Sequence, residues 1–267
     1  MAILQIQLHS DCLQRNVPIT AVLPVEGGDG QPLRTLFLLH GISGSQQDWL
    51  ANTRVSRYAT ARRVAVIMPD GANHFYVDTP ATDERYGEYI GRELPALCRR
   101  LFRLSDRRED TCLGGLSMGG YGALRNALTY PDTFGAVLAF SSALLTRMLQ
   151  AAAPDAQFAG HSMAFYEALF GPRDQMAGGP NDVEALARRL AATRGVNAFP
   201  RLLLRCGESD GLLGENQAYH AFLKELGVRH DFEVEPGNHE WDFWDCSLLR
   251  GLEWLEGHPS WQPKTAQ

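Results

Sequence analysis

The sequence has no long hydrophobic run. No apolar stretch approaches the roughly 18 residues that span a bilayer, so neither a transmembrane helix nor a membrane partner is predicted. Residues 1–10 alternate apolar residues with polar ones and lack both a basic head and a small-residue cleavage pattern. This start is typical of a strand and not of a secretory signal. The expected location is therefore the cytoplasm.

Blocks of like charge and paired cysteines are also missing. The chain has 25 Lys and Arg against 31 Asp and Glu, a formal net charge of −6, without any basic cluster. A nucleic-acid partner is therefore not expected. The cysteines are odd in number, scattered and without a CxxC pair, which argues against a disulfide framework or a metal site and favours buried free thiols. They are Cys12, Cys98, Cys112, Cys206 and Cys246.

The 267 residues, 45% of them hydrophobic, are enough for one large core, and we predict a single domain over 1–267. Eight short apolar runs between turn signals are typical of strands. These runs are Ile3 to Leu8, Val17 to Leu23, Leu36 to Leu39, Val64 to Met68, Thr111 to Gly115, Ala136 to Phe140, Leu202 to Cys206 and Asp231 to Val234.

From the third run onward, each strand is followed by a turn and a helix-like segment, clearest at Tyr89 to Phe102. This alternation predicts an α/β fold with an eight-stranded, mostly parallel, doubly wound sheet. The first two runs lack a helix between them, which favours an antiparallel hairpin at the sheet edge. Residues 142–200 predict a small helical cap, with helical pieces at 144–153, 161–170 and 182–192.

The most informative motif is Gly115-Leu-Ser117-Met-Gly119, which joins a predicted strand to a predicted helix. In this G-x-S-x-G pattern the serine occupies a tight strand-to-helix turn, and the flanking glycines remove Cβ atoms that would collide there. Ser117 is thus predicted to be a nucleophile beside the positive end of a helix dipole.

A serine nucleophile needs a base, and His239 is the candidate because it follows the last strand on a Gly/Pro/Asn turn. A carboxylate should orient that imidazole, and both Glu208 and Asp210 follow the preceding strand. We favour Asp210 because it opens a turn at Gly211, whereas Glu208 follows the strand so closely that it can cap or pair locally. The order Ser117, Asp210, His239 is that of the α/β-hydrolase fold.

An oxyanion hole needs two N–H donors, one from the residue after the nucleophile and one from the loop after an earlier strand. Met118 supplies the first. The turn His40-Gly-Ile-Ser-Gly supplies the second from Ile42, with Gly41 as the alternative. We expect His40 to fix this loop by hydrogen bonds and not to act as a base or a metal ligand.

Aromatic residues on the loops after the strands could form an acyl pocket. They are Trp49, Phe75, Tyr76, Trp241, Phe243 and Trp244. Trp49, Phe75, Tyr76 and Trp241 are the predicted substrate-binding residues, and Tyr76 and Trp241 are favoured among them.

These motifs resemble the α/β-hydrolase esterase family that includes esterase D, the S-formylglutathione hydrolases and the bacterial tributyrin esterases. The resemblance covers nearly the whole chain. Beyond the predicted triad it rests on five segments: Leu38-Leu-His-Gly-Ile-Ser-Gly, Met68-Pro-Asp-Gly, Tyr86-Gly-Glu-Tyr-Ile, Gly115-Leu-Ser-Met-Gly-Gly-Tyr-Gly-Ala and His239-Glu-Trp-Asp-Phe-Trp. The last is the most similar to tributyrin esterases.

The resemblance implies hydrolysis of short-chain acyl esters through an acyl-enzyme, without a cofactor, and assigns the oxyanion contacts to Ile42 and Met118. Gly41-Ile-Ser-Gly-Ser lacks the threonine-cysteine pair of formylglutathione hydrolases, which disfavours that substrate. The alternatives are an S-formylglutathione hydrolase, a feruloyl or acetyl-xylan type esterase, an acyltransferase and a non-catalytic binding protein. The expected partner is a small-molecule ester, and a homo-oligomer is compatible with the sequence.

Overall fold

The computed structural model describes residues 1–25, 30–79 and 82–261. The strands are β1 Ala2–Ser10, β2 Arg15–Leu23, β3 Arg34–Leu39, β4 Val64–Pro69, β5 Asp78–Thr79, β6 Glu84–Arg85, β7 Thr111–Leu116, β8 Ala136–Phe140, β9 Gln157–Phe158, β10 His161–Ser162, β11 Arg201–Gly207 and β12 Asp231–Glu235. The helices are α1 Asp48–Asn52, α2 Val55–Arg62, α3 Tyr86–Glu88, α4 Leu94–Leu101, α5 Met118–Thr129, α6 Thr146–Ala151, α7 Met163–Phe170, α8 Arg173–Met176, α9 Val183–Arg194, α10 Leu213–Glu225 and α11 Trp241–Glu256.

The main sheet has eight strands in the order β1-β2-β4-β3-β7-β8-β11-β12. Strands β4, β3, β7, β8, β11 and β12 are parallel to one another, whereas β1 and β2 form an antiparallel hairpin and β2 runs antiparallel to β4. The predicted strands, the mostly parallel sheet and the edge hairpin are therefore confirmed.

The sheet is covered on both faces, and the alternation of side chains along the strands shows why. In β3, Leu36 and Leu38 face a core shared with α2 and α11, whereas Phe37 and Leu39 face a core shared with α4 and α5. A strand buried on both faces needs apolar residues at consecutive positions, since its side chains point alternately to either side. This is the reason that the central strands read as uninterrupted apolar runs.

The predicted helix at Tyr89 to Phe102 is irregular and starts earlier. Helix α3 leads through a π-helical turn, Tyr89–Glu93, into α4. Pro95 has no N–H to donate to the Gly91 carbonyl four residues before it. The Thr133 hydroxyl donates to that carbonyl instead, at 2.9 Å, so the oxygen is satisfied from outside the helix.

The segment 142–200 holds the three expected helical pieces as α6, α7 and α9, together with a two-stranded ribbon of β9 and β10 and the short helix α8. Helix α9 packs against α5, and its Leu186, Ala187 and Leu190 belong to the core beneath the sheet. The last helix of the segment therefore packs on the helical layer that contains α5.

All five cysteines lie within the described residues and are free thiols. Four of them are buried as expected, but Cys246 is exposed on α11. Within the described ranges, every helix is too short or too polar to cross a bilayer.

One buried carboxylate joins helices on the same face of the sheet. Asp245 of α11 accepts hydrogen bonds from the Arg54 N–H at 2.8 Å, from the Arg54 Nε at 2.8 Å and from the buried Tyr58 hydroxyl at 3.0 Å. Burial would raise the pKa of the Asp245 carboxyl, but these hydrogen bonds, with those of Arg54 foremost, outweigh it and lower the pKa.

Replacing Asp245 with alanine is expected to lower the free energy of unfolding by about 1 to 3 kcal/mol, because the Tyr58 hydroxyl and the Arg54 N–H lose their acceptor. The exposed Arg54 guanidinium contributes little to this value since solvent screens it. Urea denaturation measures the change. Asp242→Ala, at an exposed position of the same helix, is the control and should cost less than about 1 kcal/mol. Equal stabilities of the two variants would contradict the assigned role.

Candidate active site

Ser117 lies between β7 and α5 with a backbone φ of 52° and ψ of −116°. A non-glycine residue in such a conformation is strained and persists only where its surroundings enforce it. A Cβ atom at Gly119 would lie 2.5 Å from the Leu39 carbonyl oxygen, and one at Gly115 would lie 2.6 Å from the Gly119 carbonyl. Both glycines are thus needed for the close approach of β3, β7 and α5 that forms this turn.

The turn is anchored to the neighbouring strand, and it places Ser117 at a helix start. The Ser117 N–H donates to the Phe140 carbonyl at 2.9 Å, and its carbonyl accepts from the N–H groups of Tyr121 and Ala143, each at 3.0 Å. Met118 is the first residue of α5. The first N–H groups of a helix have no partner within it, so the Met118 N–H is available to an anion at this end of the dipole.

Asp210 and His239 form a hydrogen-bonded pair beyond the carboxyl ends of β11 and β12. The His239 Nδ1 lies 2.9 Å from Asp210 Oδ2 and 3.2 Å from Oδ1. Burial would raise the pKa of the Asp210 carboxyl, but hydrogen bonds from His239, from the Leu212 N–H and from Ser141 lower it below the ordinary value. An ionised carboxylate only accepts hydrogen bonds, so in the neutral imidazole Nδ1 carries the proton and Nε2 keeps its lone pair.

Glu208 takes no part in this pair. Its N–H donates to the Glu235 carbonyl at 2.9 Å, and its side chain is exposed. Of the two carboxylates between which the sequence left a choice, Asp210 is the one that reaches His239.

The loop after β3 is fixed by His40, as expected. The buried His40 ring accepts the Gly71 N–H at Nε2, at 2.9 Å, so Nδ1 is protonated and donates to the Gly41 carbonyl at 2.7 Å. A Cβ atom at Gly41 would lie 2.7 Å from Leu116 Cδ1 and 3.7 Å from Ser117 Cβ. The loop that carries Gly41 and Ile42 therefore lies directly against the nucleophile turn.

These elements enclose one large cleft of about 870 Å³. The candidate residues among its walls are Gly41, Ile42, Phe75, Ser117, Asp210, His239 and Trp241. The structure thus brings Ser117, Asp210 and His239 to a single cavity, next to the proposed donor loop. Met118 is buried beside this cavity. Its predicted role in the oxyanion hole involves only its backbone N–H group and not its side chain.

Two predicted substrate-binding residues do not line the cleft, which corrects the sequence analysis. Tyr76 is fully buried: its hydroxyl donates to the His40 carbonyl at 3.0 Å, and its ring fills the space that glycines at 71 and 122 leave open. Trp49 is 1% exposed, and its indole N–H donates to the Leu39 carbonyl at 2.9 Å. Each ring is bound by a hydrogen bond that faces the core, so neither reaches a ligand.

Most of the apolar wall comes from residues that sequence reasoning did not single out. Segment 142–200 supplies Ala143, Leu145, Met148, Phe158, Ala159 and Tyr166. Ala159 has a φ of 47° and Gly160 a φ of 79°, which is the backbone of a tight two-residue hairpin between β9 and β10. Gly160 is the local signal that could have located this turn, since glycine readily adopts a positive φ.

The fold and this cleft define an α/β-hydrolase. The model of the family described as "Putative esterase" matches residues 10–255. The chain is 37% identical to an acetyl esterase of Caldicellulosiruptor saccharolyticus over 263 residues, which cover 96% of this chain and 98% of that protein. The chain belongs to this esterase family, and it is a carboxylic-ester hydrolase.

Solved structures agree with this assignment. FphF, a fluorophosphonate-binding serine hydrolase of Staphylococcus aureus, superposes with a TM-score of 0.85 at 30% identity and covers 95% of this chain and 98% of its own. The S-formylglutathione hydrolase FrmB of Staphylococcus aureus superposes with a TM-score of 0.83, also at 30% identity and with the same coverage of both chains.

Proposed function

We propose that the protein hydrolyses short-chain acyl esters, from acetyl to butyryl, through an acyl-enzyme on Ser117. The observation that carries this proposal is the convergence of Ser117, Asp210 and His239 on one cleft, with the Asp210 carboxylate hydrogen-bonded to His239 Nδ1. That contact leaves Nε2 of the neutral imidazole as the proton acceptor. Similarity to an acetyl esterase over nearly the full chain supports the short acyl group.

In the acylation step the Ser117 Oγ attacks the ester carbonyl carbon while His239 Nε2 takes the hydroxyl proton. The carbonyl π electrons move to its oxygen and form an oxyanion. When this tetrahedral intermediate collapses, the alcohol leaves with the proton from His239, and the acyl group stays on Ser117. Asp210 stabilises the imidazolium that forms in between.

Deacylation repeats these steps with water. His239 takes a proton from the water that attacks the acyl carbonyl, and the same proton returns to Ser117 Oγ as the carboxylic acid departs. Both oxyanions require two N–H donors. We assign these to Met118, at the N-terminus of α5, and to Ile42, with Gly41 as the alternative since it shares the loop beside Ser117.

The cleft of about 870 Å³ is much larger than an acetyl or butyryl group needs. We therefore assign most of its volume to the alcohol part of the ester. Trp241 and Phe75 line the cleft, so an alcohol with an apolar or sugar-like face can pack against their flat rings.

A chain-length series tests the proposal. We expect p-nitrophenyl acetate and butyrate to be hydrolysed with a higher kcat/KM than the octanoate, and only when Ser117 is present. Acyl transfer to an added alcohol that outruns hydrolysis would favour an acyltransferase instead. Serine-independent release, or none at all, would reject the proposal.

S-formylglutathione is the second candidate substrate, because the chain resembles a hydrolase of that name over 95% of its length. The charge of the cleft argues against it. The described lining residues include Asp48, Asp210 and Glu240 but neither Lys nor Arg. Glutathione carries two carboxylates, and no described lining side chain offers them a permanent positive charge.

An anionic ester should therefore react more slowly than a neutral one of the same shape. The two carboxylates concerned are those of Asp48 and Glu240. At a separation of about 10 Å from the incoming anion, each raises its binding free energy by between about 0.4 and 1.7 kcal/mol, depending on the effective dielectric constant. We expect p-nitrophenyl hemisuccinate to have a kcat/KM about tenfold below that of the 4-methylpentanoate. Asp48→Asn and Glu240→Gln should each narrow this ratio, and a ratio near one in the wild type would contradict the argument. The cytoplasmic location and a homo-oligomer stay predictions.

A further inference from the structure

A second and much smaller cavity lies beside the cleft. Its volume is about 10 Å³, which is room for about one water molecule. The apolar part of its wall consists of Tyr121, Leu145, Leu149, Phe170 and Met176. Of the described residues that line the two spaces, Leu145 alone borders both the cleft and this cavity. The Leu145 side chain therefore separates them.

The backbone of Leu145 is fixed relative to the nucleophile. The Ala143 N–H donates to the Ser117 carbonyl at 3.0 Å, and the Leu145 N–H donates to the Ala143 carbonyl, also at 3.0 Å. The Leu145 carbonyl in turn accepts the Leu149 N–H of α6 at 2.8 Å. Leu145 is thus connected through two hydrogen bonds to the residue whose hydroxyl attacks the ester, and its side chain is buried.

Phe75 supports the same boundary. Its ring lines the cleft and is 2% exposed. It meets the rings of Phe170 and Tyr121 edge to face, with centroids 5.3 and 5.9 Å apart, and both of those rings line the second cavity. The φ of Phe75 is 51°, a conformation that costs free energy and persists only where the surroundings enforce it. The boundary between the two spaces therefore consists of Leu145 and of aromatic rings packed beside it.

The position of the base indicates which part of the ester meets this boundary. The leaving alcohol takes its proton from His239, so the alcohol part must lie on the His239 side of Ser117. The His239 ring contacts Trp244, with centroids 4.9 Å apart, and Trp244 belongs to the core on the α2 and α11 face of the sheet. Leu145 belongs to the core on the opposite face. An ester bound across Ser117 therefore directs its acyl chain toward Leu145.

We propose that Leu145 ends the acyl part of the cleft and thereby sets the acyl chain length that the enzyme accepts. This inference rests on the proposed function and names the residue responsible for its preference for short acyl groups. The second cavity continues the path of the acyl chain beyond Leu145, along an apolar wall. The leucine side chain keeps the chain out of it.

Leu145→Ala should join the two spaces and open the apolar wall of the second cavity to the acyl chain. Each methylene that is removed from water there raises kcat/KM about fourfold. We expect the ratio of kcat/KM for p-nitrophenyl hexanoate to that for the butyrate to rise about 4- to 15-fold over the wild-type ratio, for one to two further methylenes. An unchanged ratio would overturn the proposal. Leu145→Val, a smaller truncation, should give a smaller rise, and if Leu145→Ala does not fold, an unchanged ratio in Leu145→Val overturns the proposal equally.

Met176 provides the matched control, because it is buried and lines the second cavity but not the cleft. Met176→Ala enlarges the space behind an intact Leu145, so it should leave the hexanoate-to-butyrate ratio unchanged. In the Leu145→Ala background the same substitution should raise the ratio further, since the acyl chain now reaches the enlarged space. Equal effects of Met176→Ala in the two backgrounds would overturn the separating role of Leu145.

A series of acetate esters from ethyl to hexyl acetate tests the direction of the ester. Leu145→Ala should keep the wild-type order of this series. A changed alcohol preference with an unchanged acyl preference would place the second cavity on the alcohol side and overturn the proposal. Ser117→Ala, measured with the butyrate, separates the two levels: activity that survives it overturns the proposed function, whereas serine-dependent activity with an unchanged ratio in Leu145→Ala overturns only the role of Leu145.

Discussion

Ser117→Ala is expected to lower kcat for p-nitrophenyl butyrate by at least about 10⁴-fold. The substitution removes only the hydroxyl group. Alanine tolerates a φ of 52° no worse than serine does, so the turn should persist. KM should change little because the walls of the cleft remain. Steady-state kinetics measure the loss, and intact-protein mass spectrometry should find an acyl adduct on the wild type and none on the variant.

Ser43→Ala is the control for this loss. Ser43 also lines the cleft, but the proposed mechanism gives its hydroxyl no part. This variant should keep most of the wild-type rate. A Ser117→Ala enzyme that retained a substantial fraction of the activity, or an acyl adduct that mapped to another residue, would show that the nucleophile lies elsewhere.

Asp210→Asn is the second change with a large expected effect, a fall in kcat of about 10⁴-fold. An asparagine amide that donates to His239 Nδ1 selects the tautomer with its proton on Nε2, which then cannot accept the proton of Ser117. The side-chain shape is nearly unchanged, so the loss reports the tautomer and not the packing. The measurement is kcat for the same ester, across the pH range over which the wild type is active.

Glu208→Gln is the matched variant for this test, since it removes the neighbouring carboxylate that does not contact His239. Its kcat should stay near that of the wild type. The reverse outcome, a large loss at Glu208 and a small one at Asp210, would assign the orienting role to the other carboxylate.

Asp210 should also affect how the free energy of unfolding depends on pH. Its pKa is lowered in the folded protein, so its ionisation stabilises the fold at any pH above the ordinary carboxyl pKa. This contribution is lost as the pH falls from there through the lower folded value. The stability difference between wild type and Asp210→Asn should therefore shrink as the pH falls below the ordinary carboxyl pKa, which denaturation at a series of acid pH values measures.

Local patterns were enough to predict much of the fold. Strands β3 and β7 are buried on both faces, and such strands must be apolar at successive positions. The turn at Ser117 was predictable because the G-x-S-x-G spacing is itself a local signal, and the clash that a Cβ at Gly115 would make with Gly119 lies within five residues. The placement of Asp210 and His239 followed from chain order, since the carboxyl ends of parallel strands share one edge of the sheet.

Side-chain direction was not predictable in the same way. Tyr76 lies on a loop and Trp49 in the short helix α1 at the expected edge, but each side chain turns inward to a backbone carbonyl at the end of β3. The sequence around them does not reveal that acceptor. The π-helical turn before α4 likewise depends on Thr133, about 40 residues from the carbonyl that it satisfies.

The sequence by itself determined the strands, the nucleophile turn and the order of the three candidate catalytic residues, because periodicity and turn sterics are set by neighbours along the chain. Only the tertiary structure decided that Asp210 and not Glu208 meets His239, that segment 142–200 supplies about half of the apolar wall, and that Trp244 packs against the His239 ring. These features depend on contacts between residues far apart in the chain, and such contacts are fixed only when the sheet and its helices pack.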